Sequence, residues 1–139
     1  MSAPSSSVLR SRDWNWSWWP IVPLFPYGQR RTLRREIIPG QVWTLEQVQG
    51  IFYVIVPIRM TVVRLAAGGL LVYAPVAPTP ECVRLMRELE AEYGSVRYIV
   101  LPTVTGIEHK VFIGPFARQF PTGQVWVAPQ QWSFPVNLP

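Results

Sequence analysis

The chain contains a single histidine, His109, directly after Glu108 in the stretch PTVTGIEHK, residues 102–110. An imidazole beside a carboxylate is the residue pair that ligates a metal ion or relays a proton. Thr103 and Thr105 are the other polar groups nearby. Two adjacent residues do not close a metal site, so any such centre needs further ligands from elsewhere in the fold. The plainer expectation is that His109 caps a helix or bonds to backbone. Cys82, the one cysteine, excludes an internal disulfide and a multi-cysteine zinc site. It opens an apolar stripe with no second catalytic group beside it, which makes it a small core residue. No complete catalytic constellation can be read from the residues.

The surrounding elements decide where these groups sit. From Gln41 onward β-branched and aromatic residues dominate. QVWTL follows Gly40, IFYVIVPI follows Gly50, RMTVVRLA alternates polar and apolar, and Gly68-Gly69 turns into LLVYAPV. Three strands joined by short turns predict an antiparallel meander. A helix then follows, with Thr79 as N-cap, Pro80 in the first turn and Gly94 as terminator. Cys82, Leu85, Met86, Leu89 and Tyr93 share its apolar face. SVRYIVL is a buried strand. Lys110–Phe120 is a second helix, started or kinked by Gly114 and Pro115. Pro121-Thr122-Gly123 turns into the strand QVWVAP. Strand, helix, strand, helix, strand predicts parallel pairing with right-handed crossovers. The fold class expected is α/β (α+β), a mixed sheet with an antiparallel meander followed by βαβαβ. Sites in such sheets lie beyond the carboxyl ends of the strands. Ala74–Thr79 and Pro102–Lys110 are therefore the functional edge.

The chain has 139 residues, 49% of them hydrophobic, and a mean hydropathy of +0.15. That suffices for one domain with a core and is unlike a disordered chain. Charged residues make up 15%, against about a quarter in an ordinary soluble domain. A surface so poor in charge is expected to be partly covered by something else. The net charge is +5, and it is concentrated at the front. Residues 1–40 hold six arginines against Asp13 and Glu36, leaving the remainder near neutral. Residues 1–39 read as a Ser-rich tail and a Trp/Pro/Arg-rich arm, and 40–139 as the domain. Four tryptophans, Trp14, Trp16, Trp18 and Trp19, precede the basic cluster Arg30, Arg31, Arg34 and Arg35. Rings beside arginines suit a protein contact, core cover or an anionic membrane surface. Nucleic acid is the least favoured partner, because no base-stacking motif accompanies the charge. Ile51 to Pro78, the most apolar stretch, is broken by Arg59 and Arg64. No membrane span is expected from it, and the N-terminus lacks the pattern of a secretory signal.

The segments YGQRRTLRREIIPGQVWTLEQVQG, VPIRMTVVRL, GGLLVYAPVAPTPEC, LPTVTGIEHKVFIGPFARQFP and QVWVAP resemble a family of uncharacterised proteins from cyanobacteria and plastids. That family, a domain of unknown function, is placed beside the metallo-β-lactamase-like superfamily. The resemblance covers about residues 18–139. It implies the N-terminal half of a metallo-β-lactamase-like αββα sandwich. The superfamily signature HxHxDH is degenerate here. Glu108 and His109 fall on its last two positions, and Val104 and Gly106 on the two leading histidines. Neither of the latter offers a side-chain ligand. Domains of that superfamily continue well past this point and take their remaining ligands from the later half, so the resemblance implies either a fragment or a truncated relative completed by partners.

These readings favour a non-catalytic interaction or structural subunit, a pseudoenzyme without cofactor. Its partners would be protein subunits of a larger complex, with a photosynthetic (thylakoid) membrane complex as the candidate. It would sit peripherally on the cytoplasmic side of the membrane and dock through the Trp/Arg-rich arm. The rival reading is a metal-dependent hydrolase with altered ligands. It would hold Zn, Fe or Mn through Glu108 and His109.

Overall fold

The computed structural model describes residues 31–51, 54–104 and 108–131. The four tryptophans of the arm, Arg30, Thr105 and Gly106 lie outside the described residues. Eight elements follow in order: β1 (Leu33–Ile38), β2 (Val42–Ile51), β3 (Val54–Arg64), β4 (Leu70–Tyr73), α1 (Pro80–Tyr93), β5 (Val96–Leu101), α2 (Lys110–Gln119) and β6 (Gln124–Val127). The strands form one six-stranded sheet in sequence order, β1 to β6. The first four pair antiparallel, and β4, β5 and β6 pair parallel. The expected mixed sheet, meander then βαβαβ, is what forms.

Two boundaries differ from expectation. β1 lies inside the stretch read as the basic arm, with Arg34 opposite Leu45 and Arg35 opposite Thr44. Its charges hid the strand, which owes its place to pairing with β2 and not to an apolar pattern of its own. Gly50 does not start a strand either. It lies near the end of β2, opposite Ile55, and the ladder runs on to Ile51 opposite Val54. The break in the chain's direction falls after Ile51.

α1 follows local chemistry closely. Thr79 is extended (φ −63°, ψ 158°), and its Oγ1 accepts from the Cys82 N–H at 3.1 Å. That satisfies one of the orphan donors of the first turn. Gly94 closes the helix at φ 96°, donating to the Glu90 carbonyl at 2.9 Å. Cys82, Leu85, Met86 and Leu89 are buried. α2 continues through Gly114 and Pro115 as one helix and does not start there. Pro115 has no N–H for a helical bond, yet Phe112, Phe116 and Phe120 recur every fourth residue and are all buried. The burial of those three rings, a few kcal/mol each by area, outweighs one missing backbone bond.

Both helices pack on the same face. Their buried residues join Trp43, Leu45, Ile58, Met60, Val62, Leu70, Val72, Val96 and Ile99 in one core. Two consecutive right-handed crossovers stepping in one direction across the sheet require this arrangement. The strand residues between these point the other way, because side chains alternate along a strand. Thr44 and Thr61, Glu46 and Arg59, Leu71 and Tyr98, and Tyr73 and Val100 are therefore neighbours on the opposite face. Neither helix covers it.

Candidate functional site

β2, β4, β5 and β6 run in the same direction, so their carboxyl ends share one edge of the sheet. Ala74–Thr79 leaves β4 there and Pro102 leaves β5. This is the edge the sequence singles out, and most of the buried polar side chains among the described residues lie toward it, Thr44 near the start of β2 being the exception.

Gln47, near the end of β2, is 2% exposed. Its amide nitrogen donates to the Ala77 carbonyl at 2.8 Å, and its amide oxygen accepts from the Ala77 N–H at 3.1 Å. The same nitrogen donates to Thr32 Oγ1 at 3.0 Å. Thr32 Oγ1 lies 3.4 Å from Thr79 Oγ1, and the Thr32 N–H donates to Glu81 Oε2 at 2.8 Å. One connected set thus ties the start of β1 and the end of β2 to the loop before α1. Two residues on, Gln49 is fully buried, and neither polar atom of its amide has a hydrogen-bond partner among the described residues. Neither glutamine is among the candidate residues named from the sequence. The Gln-x-Gln spacing near a strand's carboxyl end was the available signal.

His109 takes the N-cap position of α2 with helical backbone angles and makes no side-chain cap bond. Its Nδ1 lies 3.0 Å from the Pro75 carbonyl. A backbone carbonyl only accepts, so Nδ1 carries the proton in this contact. The loop after β4 and the start of α2 are fastened together in this way. Of the two plain expectations for His109, bonding to backbone is the one observed. Lys110, only 7% exposed, donates from Nζ to the Val104 carbonyl at 3.1 Å, and burial pulls its ammonium below the usual lysine range. Thr103 is exposed, and Glu108 is half-buried.

Among the described residues no three His, Cys, Asp or Glu side chains gather. Val104 contributes its backbone carbonyl to Lys110 and has no side-chain ligand to offer. Cys82 is buried, and its thiol is pushed up to about 12 by burial, with Glu81 adding to the rise. At neutral pH it is protonated, which does not suit the thiolate a nucleophile role requires.

The basic cluster is dispersed by the fold. Arg34 lies on the helix face, donates to the Leu85 carbonyl at 2.9 Å and pairs with Glu88 at 2.9 Å. Arg35 lies on the opposite face, 3.9 Å from Glu46, which also pairs with Arg59 at 2.9 Å. Arg31 is half-buried just before Thr32. Arg34 and Arg35 therefore lie on opposite faces of the sheet and do not share one patch.

No described helix is long and apolar enough to cross a membrane. No curated protein matches the chain closely enough to suggest an activity. Residues 39–139, well over half of the sequence, match a family described as a domain of unknown function, and the chain belongs to that family, DUF4336.

Proposed function

We propose that this chain is a non-catalytic interaction or structural subunit of a larger protein assembly. One observation carries the reading: a six-stranded sheet with both helices on one face and a second face that is largely apolar from the end of β3 across β4, β5 and β6. Val63, Leu71, Tyr98 and Val100 are half-buried there, and Tyr73 and Trp126 are 46% and 57% exposed. A sheet face of this composition is normally packed against another layer. The 15% charge content points the same way. The finer form of the proposal keeps the sequence expectations. The scaffold is half of a metallo-β-lactamase-like sandwich. The assembly is a photosynthetic membrane complex, and the Trp/Arg-rich arm places the chain peripherally at the membrane.

The test is purification of the tagged chain from gently solubilised native membranes. The expected result is a stoichiometric complex that is lost when Leu71→Lys or Tyr98→Lys charges the open face while circular dichroism stays native. A free monomer from the same membranes would end the reading. Metal content on the same sample addresses the rival. Stoichiometric zinc, iron or manganese, lost in His109→Ala, would favour a hydrolase built on Glu108 and His109.

A further inference from the structure

The two edges of the sheet differ in kind. β1, at one edge, reads LRREII and carries Arg34, Arg35 and Glu36, with both arginines ion-paired. Charges on an edge strand discourage pairing with another chain. β6, at the other edge, reads QVWV and has no charge at all. All four of its residues are exposed, with Val125 at 47%, Trp126 at 57% and Val127 at 50%. Val125 and Val127 face the helix side, opposite Ile99 and Leu101, and Trp126 faces the open side, opposite Val100. The strand is therefore apolar on both faces.

Its backbone polarity is also defined. The Ala128 N–H donates inward to the Leu101 carbonyl at 3.2 Å. In a parallel pair alternate residues turn their N–H and C=O toward the neighbour. Trp126 thus bonds inward to β5. The N–H and C=O groups of Val125 and Val127 point to the open edge. Pro129, the next residue of that parity, has no N–H to offer.

We propose that β6 pairs antiparallel with β6 of a second copy of this chain, on a two-fold axis through Trp126. In that register Val125 lies opposite the other copy's Val127, and Val127 opposite its Val125. Each forms a hydrogen-bonded pair, so every outward N–H and C=O of the two valines is satisfied, four bonds in all by the antiparallel pattern. Trp126 meets its own copy at the non-hydrogen-bonded position, where side chains approach most closely and aromatic pairs stabilise a sheet. Helix-side valines meet valines, and the ring on the open side meets a ring. A register centred on Val125 would instead place Val127 against Gly123 of the turn and lose the Trp126 pair. Growth of β6 onto β1 of another copy would set an uncharged strand against a charged one. The pairing is therefore isologous and closes at two copies. It concerns the edge and not the open face, so it stands whether or not that face takes a partner.

The test uses the full chain. Sedimentation over a wide concentration range is expected to show a species of twice the 15.9 kDa chain mass. Val127→Pro, which deletes an outward donor, is expected to leave a monomer with native far-ultraviolet circular dichroism. Trp126→Cys is expected to form a covalent dimer under mild oxidation, since a two-fold partner brings the sulfurs within disulfide reach. Gln124→Cys, off the axis, is expected to stay uncoupled. A chain that is monomeric throughout overturns the proposal. So does a dimer that survives Val127→Pro and fails to couple through position 126. If Val127→Pro does not fold, the cysteine pair alone decides.

Discussion

The Gln47 side-chain amide grips both the N–H and the C=O of Ala77, thirty residues away, at 3.1 and 2.8 Å. The pairing mimics one rung of a sheet and fastens the loop between β4 and α1 to β2. Replacing Gln47 by Leu leaves the buried Ala77 N–H and C=O without their partner, while Thr32 Oγ1 keeps its contact with Thr79 Oγ1. Each such group costs about 1–3 kcal/mol. We expect Gln47→Leu to lower unfolding stability by about 2–4 kcal/mol, read as a shift in the urea midpoint at unchanged slope.

Gln49 should behave in the opposite sense. Its amide is fully buried and both polar atoms are unpartnered among the described residues. Removing a buried polar group that bonds to nothing relieves its desolvation cost. Gln49→Met, close in volume, is expected to raise stability by about 1 kcal/mol in the same urea titration. A loss comparable to that of Gln47→Leu would show that the amide has a partner in solution.

Gly69 sits at φ +86°, and a Cβ there would lie 2.8 Å from the Ser95 carbonyl oxygen and from two carbons of Arg97. The backbone oxygen cannot swing aside. Gly69→Ala therefore combines a strained left-handed conformation with a clash. It is expected to cost about 2 kcal/mol or more. Gly68→Ala, at φ +82° with open space around it, should cost only the strain, about 1 kcal/mol. The difference between the two melting temperatures measures the clash.

Cys82 gives a pH dependence with a definite sign. The unfolded thiol ionises at the ordinary value of 9.0, whereas burial holds the folded thiol to about 12. Between these values the unfolded chain has released a proton that the folded chain keeps. Rising pH therefore favours unfolding through this group, and its cost appears above pH 9.0. Cys82→Ala should flatten the fall in stability over that range. A thiol reagent at pH 8 should find no reactive group in the native chain and one after denaturation.

How much was legible depended on whether the cause was local. Thr79, Pro80, the Cys82–Leu85–Met86–Leu89 stripe and Gly94 lie within one element, and α1 could be read to the residue. β1 could not, because Arg34, Arg35 and Glu36 look like a solvated cluster until β2 supplies the register. The turn after Ile51 was misplaced to Gly50 for the same reason: ten consecutive pairs with β3, and not the glycine, set its position. The carboxyl edge was placed correctly from topology, and His109 proved to be bonded to backbone. The Gln47–Ala77 clamp was invisible because it joins residues thirty positions apart.

Sequential strand order has a consequence for synthesis. Each strand that emerges finds its only upstream neighbour already made, since no strand inserts between two earlier ones. The hairpins from Leu33 to Tyr73 require only short loop closures, and each later strand adds to the growing rim after one helix has formed. Assembly can therefore advance from the N-terminal side while translation continues, with the newest strand always waiting at the exposed rim.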